Sequence, residues 1–540
     1  MAAIVYQHDK RSGITYAYES VSHWDKEKKQ SRSKRRLIGR VDPVTKEIVP
    51  TDGRCRKDKH VNPMQSESSE SELTPLPTHS RSFYGATYLF DAIGTQIGLI
   101  DDLKLCFPER YRQILSVAYY LILEEHGSLG RFEKWSLLHK HPHGSSLSSQ
   151  RASELFASID ESSRQRFFAL QGRRKVDNEF WAYDTTTISS YSKQLRQICR
   201  GYNKEHDLLS QLNLAIVYGA QSNLPFYYRK LAGNIPDVKT VQHLLKELDQ
   251  LGFSKLKLVM DRGFYSEANI NALYQNHLKF LLSAKMSLAF VRSSLENIYD
   301  NFRSFEHYDP NYELYTRTIS TNWEYQQSRP YKGDTLKGKR RIYIHYYFNI
   351  ERAAEDEKAF DRRLIQWRDE LLQDKRVDAH ESFYGKYFTV ARTPKRGVKV
   401  EVKEDAVAKA KRYYGYFALI TNQKMSAIEA LQIYRNKDVV EKAFGNLKER
   451  LNMRRMLVSS EQSLDGKLFV AFVALILLSY IKKQMQQNSL YKTYTLGTLL
   501  DQLDVIECFE APGKKLRVGE MLKKQRAIYE AMGVRSPDSL

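Results

Sequence analysis

The stretch that decides the fold begins with FWAYDTTTIS, residues 180–189, whose apolar start predicts a buried strand. Two further apolar runs predict strands, and helix, strand, helix and strand patterns follow them. These segments are LNLAIVY (212–218), LPFYYRKL (224–231), DVKTVQHLLKELDQLG (237–252), KLKLVM (255–260), SEANINALYQN (266–276) and LKFLLSAK (278–285). Three strands, a helix, a strand, a helix and a strand predict a mixed α/β sheet.

Two aspartates lie where predicted strands end. Asp184 follows the apolar start of FWAYDTTTIS, and Asp261 comes directly after KLKLVM. An aspartate at a strand end is often only a turn former, so neither residue alone indicates a site. They belong, however, to the first and fourth strands of this segment, which can be neighbours in a sheet of this order. We therefore expect the two carboxylates to lie close together.

A third carboxylate belongs to a charged helix in YRNKDVVEKAFGNLKERL, residues 434–451. At about 3.6 residues per turn, the spacing keeps Tyr434, Lys437, Glu441 and Lys448 on one face. That face combines a carboxylate, which suits a metal ion, with two cations, which suit phosphates.

The helix itself is predicted to start at a capping box formed by Ser426 and Glu429 and to run to about Leu451. If it packs across the sheet, Glu441 joins the two aspartates. Three converging carboxylates require bound cations, and hard oxygen ligands favour Mg²⁺ or Mn²⁺. Such a set is typical of two-metal phosphoryl transfer on DNA.

These motifs resemble the DDE transposases of bacterial insertion sequences, and look closest to the insertion-sequence-four class with its Tyr-x2-Arg-x3-Glu-x6-Lys (YREK) signature. Tyr434, Glu441 and Lys448 match by position. Lys437 stands where the family usually has arginine, which keeps the charge but loses the bidentate fork. AYDTTTIS, LAGNIPDVKT and MDRGFYSEANI also look like that class, and the resemblance covers roughly residues 84–485.

The resemblance implies a ribonuclease-H-like core interrupted by a β-rich insertion domain, with N-terminal β-rich and helical DNA-binding regions. It implies cut-and-paste transposition through a DNA hairpin, by a homodimer that binds paired terminal inverted repeats and then target DNA. Two Mg²⁺ or Mn²⁺ ions per site would be held by Asp184, Asp261 and Glu441. No membrane and no small-molecule substrate are expected, and the protein would act on the bacterial nucleoid in the cytoplasm.

The resemblance also implies DNA contacts. Tyr434, Lys437 and Lys448 would hold backbone phosphates, and Arg262, directly after the second aspartate, is a further contact. The class inserts a tryptophan from the insertion domain against a flipped base. The sequence does not choose between Trp323 and Trp367, each of which would by itself be read as a core residue; Trp323 is kept among the expected DNA contacts.

The chain divides by composition into seven regions. They are a β-rich unit (1–65), a Ser-, Glu- and Pro-rich linker (66–82), a helical, DNA-binding region (83–175), the first part of the core (176–285), the insertion (286–411), the second part of the core (412–485) and a helical C-terminal region for DNA binding or dimerisation (486–540). The basic run at 26–36 is either a solvated hairpin or a phosphate-gripping arm. The helices near 148–170, with caps at Ser148 or Ser149 and at Asp160, suit a helix-turn-helix only weakly.

The composition favours a nucleic-acid partner. The net charge is +21 over 540 residues, and a soluble protein this basic usually meets a polyanion. The four cysteines are scattered, which indicates neither a zinc ribbon nor a disulfide framework. The longest apolar run, LFVAFVALILLSYI (468–481), is too short to span a bilayer and predicts a buried core helix. HKHPH (139–143) predicts a loop and not a metal cluster.

Two other functions remain open from the sequence. A nuclease or resolvase on the same fold would cut DNA without strand transfer. A DNA-binding regulator descended from a transposase would be expected to lose its carboxylates, and all three are present.

Overall fold

A computed structural model describes residues 2–8, 13–25, 30–42, 46–49, 80–125, 127–174, 179–192, 195–202, 204, 209–253, 256–329, 332–393, 397–453, 455–456, 458 and 460–539. The chain divides into two compact units, residues 1–76 and 77–540. Residues 26–29 of the basic run and 66–79 of the predicted linker lie outside the described residues.

The smaller unit is a four-stranded antiparallel sheet, in agreement with its alternating sequence. Its strands, in both chain and spatial order, are β1 (Ala2–His8), β2 (Thr15–Asp25), β3 (Gln30–Val41) and β4 (Ile48–Val49).

The larger unit combines a mixed sheet with many helices. Its strands are β5 (Ser80–Phe83), β6 (Phe180–Ser190), β7 (Gln211–Gly219), β8 (Pro225–Ala232), β9 (Lys257–Met260), β10 (Lys279–Ala284), β11 (Tyr308–Asp309), β12 (Leu314–Arg329), β13 (Asp334–Phe348), β14 (Phe388–Thr393), β15 (Gly397–Val402), β16 (Tyr416–Thr421), β17 (Arg455–Met456), β18 (Glu507–Glu510) and β19 (Arg517–Val518).

Its α-helices are α1 (Gly85–Gln96), α2 (Leu99–Cys106), α3 (Tyr111–Leu123), α4 (Phe132–Leu138), α5 (Ser149–Ala157), α6 (Glu161–Arg173), α7 (Asp237–Gln250), α8 (Glu267–Gln275), α9 (Ala289–Glu296), α10 (Ile350–Leu372), α11 (Glu381–Tyr387), α12 (Glu404–Lys411), α13 (Ala427–Arg435), α14 (Asp438–Gly445), α15 (Glu461–Gln487), α16 (Leu496–Asp504) and α17 (Lys523–Ala531). Ser148, Asp160 and Ser426 accept hydrogen bonds from backbone N–H groups in the first turns of α5, α6 and α13, as predicted for Asp160 and Ser426; of the two serines proposed for α5, Ser148 is the cap.

The central sheet has the order β11-β12-β13-β16-β10-β9-β6-β7-β8. β6, β7 and β8 pair antiparallel in succession, whereas β9 pairs parallel with β6 and β10 parallel with β9. The predicted mixed α/β sheet is therefore present, and β6 and β9, which carry the region of the two aspartates, are neighbours. This order and these directions are consistent with a ribonuclease-H-like core.

The segment 286–411, predicted as a β-rich insertion domain, differs from that description. Its long strands β12 and β13 join the central sheet, because β13 pairs with β16 from Tyr343 to Phe348. That end of β13 is mostly buried and apolar, which suits a strand inside a sheet. The segment begins with α9 and with β11, which pairs with β12. Its later elements, α10, α11, α12 and the hairpin β14–β15, share an apolar cluster around Trp367.

The prediction of one continuous helix from Ser426 to about Leu451 is wrong in one respect, because the helix is interrupted. α13 ends at Arg435, α14 begins at Asp438, and a π-helical turn follows at 446–450. Asn436 lies at the break, and asparagine favours non-helical conformations because its side chain competes for backbone hydrogen bonds.

α15 confirms the core helix predicted at 468–481. Among the described residues it alone has the length and hydrophobicity of a membrane-crossing helix, and 89% of its most apolar stretch is buried inside the protein. It packs against α3, α5 and β8. Gly466 permits the contact with α5, because a Cβ there would lie 2.1 Å from the carbonyl oxygen of Phe156.

Distant parts of the larger unit meet in a small second sheet. β18 pairs antiparallel with β5 and with β19. Arg81 of β5 forms two hydrogen bonds with the Glu507 carboxylate across this pairing, one of them 2.8 Å long.

Candidate active site

The two predicted aspartates lie side by side near the centre of the main sheet. Tyr183 of β6 is paired with Met260 of β9, so the next residues, Asp184 and Asp261, are level across these parallel strands. Neighbouring strands lie about 4.8 Å apart, and level residues of parallel strands share a face. The register therefore places Asp184 and Asp261 at adjacent positions of the sheet.

Asp261 is held by the helix that follows the sheet. The hydroxyl of Tyr434, on α13, donates a hydrogen bond of 2.7 Å to its Oδ1. Burial would raise the pKa of Asp261, but this hydrogen bond, the backbone N–H of Arg262 and the charge of Lys437 outweigh burial and bring the pKa below its ordinary value. Asp261 is consequently ionised at neutral pH.

Asp184 is the more buried carboxylate, with a side chain 14% exposed. Burial raises its pKa and the carboxylate of Asp237 adds to the rise, whereas Lys204 and Lys437 oppose it. Nζ of Lys204 lies 4.0 Å from Oδ1 of Asp184, and the backbone N–H of Thr185 donates to the same oxygen at 2.8 Å.

Lys437 is the central cation of the site. It lies at the break between α13 and α14, its side chain is only 4% exposed, and its Nζ is 3.3 Å from Oε1 of Glu441. Its charge also acts on Asp184 and Asp261. The residue that departs from the arginine of the resembled signature thus lies among all three carboxylates.

Glu441 does not complete the predicted cluster of three carboxylates. Its side chain is 64% exposed and paired with Lys437, although α14 packs on β6 and β7. Within the described part of the chain, no three His, Cys, Asp or Glu side chains are grouped so that they could hold a metal ion. Three carboxylates at ligating distances repel one another; here the Lys437 ammonium pairs with Glu441 and its charge also favours the ionised forms of Asp184 and Asp261.

The donor set nevertheless fits a hard divalent cation. Carboxylate oxygens are the ligands that Mg²⁺ and Mn²⁺ prefer. Asp184 and Asp261 present theirs on one face of adjacent strands, and the exposed Glu441 lies on the helix beside them. A divalent ion held by the two aspartates would supply the positive charge that Lys437 now provides.

The other predicted DNA contacts differ in exposure. Arg262 is exposed directly after Asp261, and Lys448 is partly exposed in the π-helical turn. Tyr434 is half-buried, and its hydroxyl is engaged by Asp261. The roles of these residues in DNA binding stay predictions.

Both candidate tryptophans are core residues in this structure. Trp323 is 7% exposed, and its indole N–H donates a hydrogen bond of 2.8 Å to Asn271. Trp367 is 4% exposed and stacks on Phe383 and Tyr387. Either ring would have to leave these contacts before it could stack on a base, so the expected role of Trp323 at DNA requires a rearrangement.

Asp237 and Lys204 belong to the site, although the sequence did not single them out. Lys204 Nζ lies 3.0 Å from the Asp237 carboxylate and donates to the Thr185 carbonyl oxygen at 2.7 Å. Asp237 also accepts from the Thr185 hydroxyl. The sequence could have indicated Asp237, because it begins the helix that follows the predicted strand β8, and β8 runs in the same direction as β6. Lys204 lies in a loop whose sequence has no periodic pattern.

The HKHPH sequence forms the predicted loop and contains two buried histidines. His139 stacks on Trp135, and its Nε2 is 3.1 Å from the Asp504 carboxylate. Nδ1 of His141 is 3.0 Å from the Ser116 hydroxyl. Within the described residues these contacts make the loop part of the helical core and not a metal site.

Comparison with known proteins identifies the segment that carries the site. A family model described as the transposase DDE domain matches residues 176–477, which include Asp184, Asp261 and Glu441. None of the curated proteins is similar enough to match. Among solved structures, the chain is similar to the piggyBac transposase in its synaptic complex with hairpin DNA, at 11% identity and a TM-score of 0.31, over 77% of this chain and 70% of that chain.

Proposed function

Because the chain belongs to the family of transposases with a DDE domain, we propose that it cuts and joins DNA at the site of Asp184, Asp261 and Glu441. The observation that carries this proposal is the level position of the two aspartates on the adjacent parallel strands β6 and β9. The helices that bear Tyr434, Lys437 and Glu441 lie against the same strands.

In the proposed mechanism, Asp184, Asp261 and Glu441 would hold two divalent ions. Such ions would supply a nucleophile that is activated at neutral pH and would neutralise the charge that develops on the leaving oxygen. Lys437 would release Glu441, which is exposed enough to turn towards the aspartates. Tyr434 keeps the Asp261 carboxylate oriented through its hydrogen bond.

The reaction series begins with hydrolysis of one strand at the end of the element. The freed 3′-OH then attacks the opposite strand, which forms a hairpin and releases the flanking DNA. A second hydrolysis opens the hairpin, and the 3′-OH attacks a phosphodiester of the target, expelling a 3′ oxygen. Arg262 and Lys448 would contact backbone phosphates beside the scissile bond and hold it near the carboxylates.

Several finer features belong to the same proposal. Membership of the insertion-sequence-four class is supported by the positions of Tyr434, Glu441 and Lys448, with Lys437 as the variant position. Recognition of terminal inverted repeats on duplex DNA agrees with the net charge of +21. Action as a homodimer on two paired ends is carried over from the resemblance.

A cleavage assay tests the proposal. A labelled duplex that carries the terminal inverted repeat flanking the gene is incubated with the protein and Mg²⁺, and the products are separated on a denaturing gel. We expect cutting at the repeat boundary and a hairpin-sized product. Glu441→Gln should bind the same duplex with unchanged affinity and make neither product, since Glu441 lies on the surface and its replacement leaves the core intact.

The other outcomes point to different functions. Cutting that yields free ends and never a strand-transfer product would identify a nuclease. Binding without cutting, even when two ends are supplied together, would identify a regulator. Loss of both binding and cutting in Glu441→Gln would show that this residue has a structural role.

A further inference from the structure

A cleft of about 1230 Å³ opens beside the second aspartate. Asp261 and Arg262 line it, together with the loop that follows β10. Residues of α9, α11 and α12 also line it, so the cleft connects the candidate active site with helices of the segment 286–411.

The cleft carries a strong excess of positive charge. Seven lysines and arginines line it against a single carboxylate, that of Asp261. Six of these cations have no ion-pair partner within the described parts of the chain, namely Arg262, Lys285, Arg292, Lys386, Lys409 and Arg435. Unpaired like charges around one cavity repel each other, and a bound polyanion would relieve that repulsion.

Aromatic side chains lie between the cations. Tyr413, Tyr414 and Phe417 line the cleft and are each partly exposed. Arg292 lies 5.1 Å from the centre of the Tyr413 ring. Phe417 is already stacked on Tyr347 at 4.7 Å and contacted by Arg352 at 5.2 Å, so Tyr413 and Tyr414 are the rings offered to a base. Cations that follow a strand's phosphates, together with aromatic rings that receive its bases, are the combination found in grooves for single-stranded nucleic acid.

We propose that this cleft binds an unpaired DNA strand that continues from the phosphate at Asp261 towards α11 and α12. The identity of the ligand as DNA rests on the proposed function. An unpaired strand fits better than a duplex, because the bases of a duplex are stacked on each other and leave no face for the aromatic rings. Strand separation at the cut site would then be maintained by the protein itself.

Two triple variants with equal charge loss test this inference. The cleft variant combines Arg292→Gln, Lys386→Gln and Lys409→Gln, all exposed and none of them part of the catalytic site. The control variant combines Lys358→Gln, Arg362→Gln and Lys375→Gln. These are also exposed and without an ion-pair partner among the described residues, but they do not line the cleft.

Binding is measured by fluorescence anisotropy with a labelled oligothymidylate and with a blunt duplex, in EDTA and over a series of salt concentrations. For the oligothymidylate, the cleft variant should bind about tenfold or more weakly than the wild type, and the slope of log K against log salt should fall by about 2, from roughly 0.7 for each of three lost phosphate contacts. The control variant should bind as the wild type does. The single variant Lys386→Gln, which should lose about a third of that slope, provides the same test if the triple variant does not fold.

Equal losses in both triple variants would overturn the inference, because they would show a general charge effect. An equal loss for the duplex would also overturn it and would make the cleft a duplex site. The cleavage assay separates this result from the proposed function. If the wild type never cuts DNA but only the cleft variant binds the oligothymidylate more weakly, the cleft is a single-strand site and the proposed function is wrong. If the wild type cuts DNA and the cleft variant binds the oligothymidylate normally, the proposed function holds and the inference about the cleft is wrong.

Discussion

Replacement of Lys437 by methionine tests whether the Lys437 ammonium balances the negative charge of the carboxylates in the metal-free site. Lys437 is the buried cation among Asp184, Asp261 and Glu441, and methionine keeps the length and apolar character of its stem. We expect Lys437→Met to destabilise the metal-free protein and to bind divalent cations more tightly than the wild type does.

The size of the effect follows from the geometry. At 3.3 Å the attraction between Lys437 and Glu441 is roughly 1.3 kcal/mol in a water-like dielectric and roughly 5 kcal/mol at an effective dielectric of about 20. The lower figure is nearer, because Glu441 is 64% exposed. The aspartates are more buried, and removal of one partner from a buried charge network costs about 3–5 kcal/mol. We therefore expect a loss of about 3 kcal/mol in the free energy of unfolding.

The assay is urea unfolding in EDTA and at saturating Mg²⁺, together with calorimetric titration of Mn²⁺ at constant ionic strength. Divalent ions replace the missing charge, so the loss should shrink to about 1.6 kcal/mol at saturation, which is the metal-free loss less the gain from tenfold tighter binding. Without a competing ammonium, Mn²⁺ should bind about tenfold more tightly, which corresponds to about 1.4 kcal/mol. Lys437→Arg, which keeps the charge, is the matched control and should resemble the wild type in both measurements.

Unchanged or weaker Mn²⁺ binding by Lys437→Met would refute this reasoning. It would mean that the ammonium does not occupy the place of a cation. Equal destabilisation with and without Mg²⁺ would have the same meaning and would assign Lys437 a purely structural contact.

Three further predictions concern stability. The pKa of Asp184 is raised in the fold, mainly by burial. The stability that its protonated form contributes is therefore complete below the ordinary pKa and is lost as pH rises through the folded pKa. Asp184→Asn should raise the melting temperature at neutral pH in EDTA, and an unchanged or lower melting temperature would contradict this. Burial lowers the pKa of His141 and of His345 to about 4 each. The stability that each neutral histidine contributes should be complete above about pH 6.5 and fall by about 3 kcal/mol per histidine as pH drops towards 4. Glutamine at either position should flatten the pH dependence of the urea midpoint, and an unaltered dependence would contradict this prediction. Gly466→Ala should destabilise the larger unit by about 1–3 kcal/mol, because the new methyl group meets the backbone of α5, whereas Gly385→Ala, whose Cβ would meet nothing within 4 Å, should be neutral or stabilising by up to about 1 kcal/mol in the same thermal scan.

The sheet around the aspartates was predictable because its signals are local. The strands and helices between residues 180 and 285 can be predicted from the spacing of their apolar residues, and the order of these elements then allows β6 and β9 to be neighbours. The positions of Asp184 and Asp261 follow from that pairing alone. Helical spacing predicted both Tyr434 and Glu441 at this site; the hydroxyl of Tyr434 does donate to Asp261, whereas Glu441 is exposed and pairs with Lys437.

The parts that were missed depend on contacts that the local pattern does not encode. The break at Asn436, beside which Lys437 lies, carries no proline or glycine that would have predicted it from the sequence. The pairing of β13 with β16 joins strands about seventy residues apart, and a register of that range carries no periodic signal. Lys204 reaches Asp184 from a loop, where neither spacing nor composition indicates a direction.

The pairing of β5 with β18 has a consequence for synthesis of the protein. Arg81 and Glu507, which are hydrogen-bonded across this pairing, are 426 residues apart in the sequence. The helices α3 and α5 pack against α15, which is synthesised much later. At roughly 5–20 residues per second, α15 leaves the ribosome many seconds after α3. We therefore expect the apolar faces of the early helices to stay exposed until translation is nearly complete. Chains that stop before β18 lack the strand that pairs with β5 and are expected to be less resistant to proteases than the full chain.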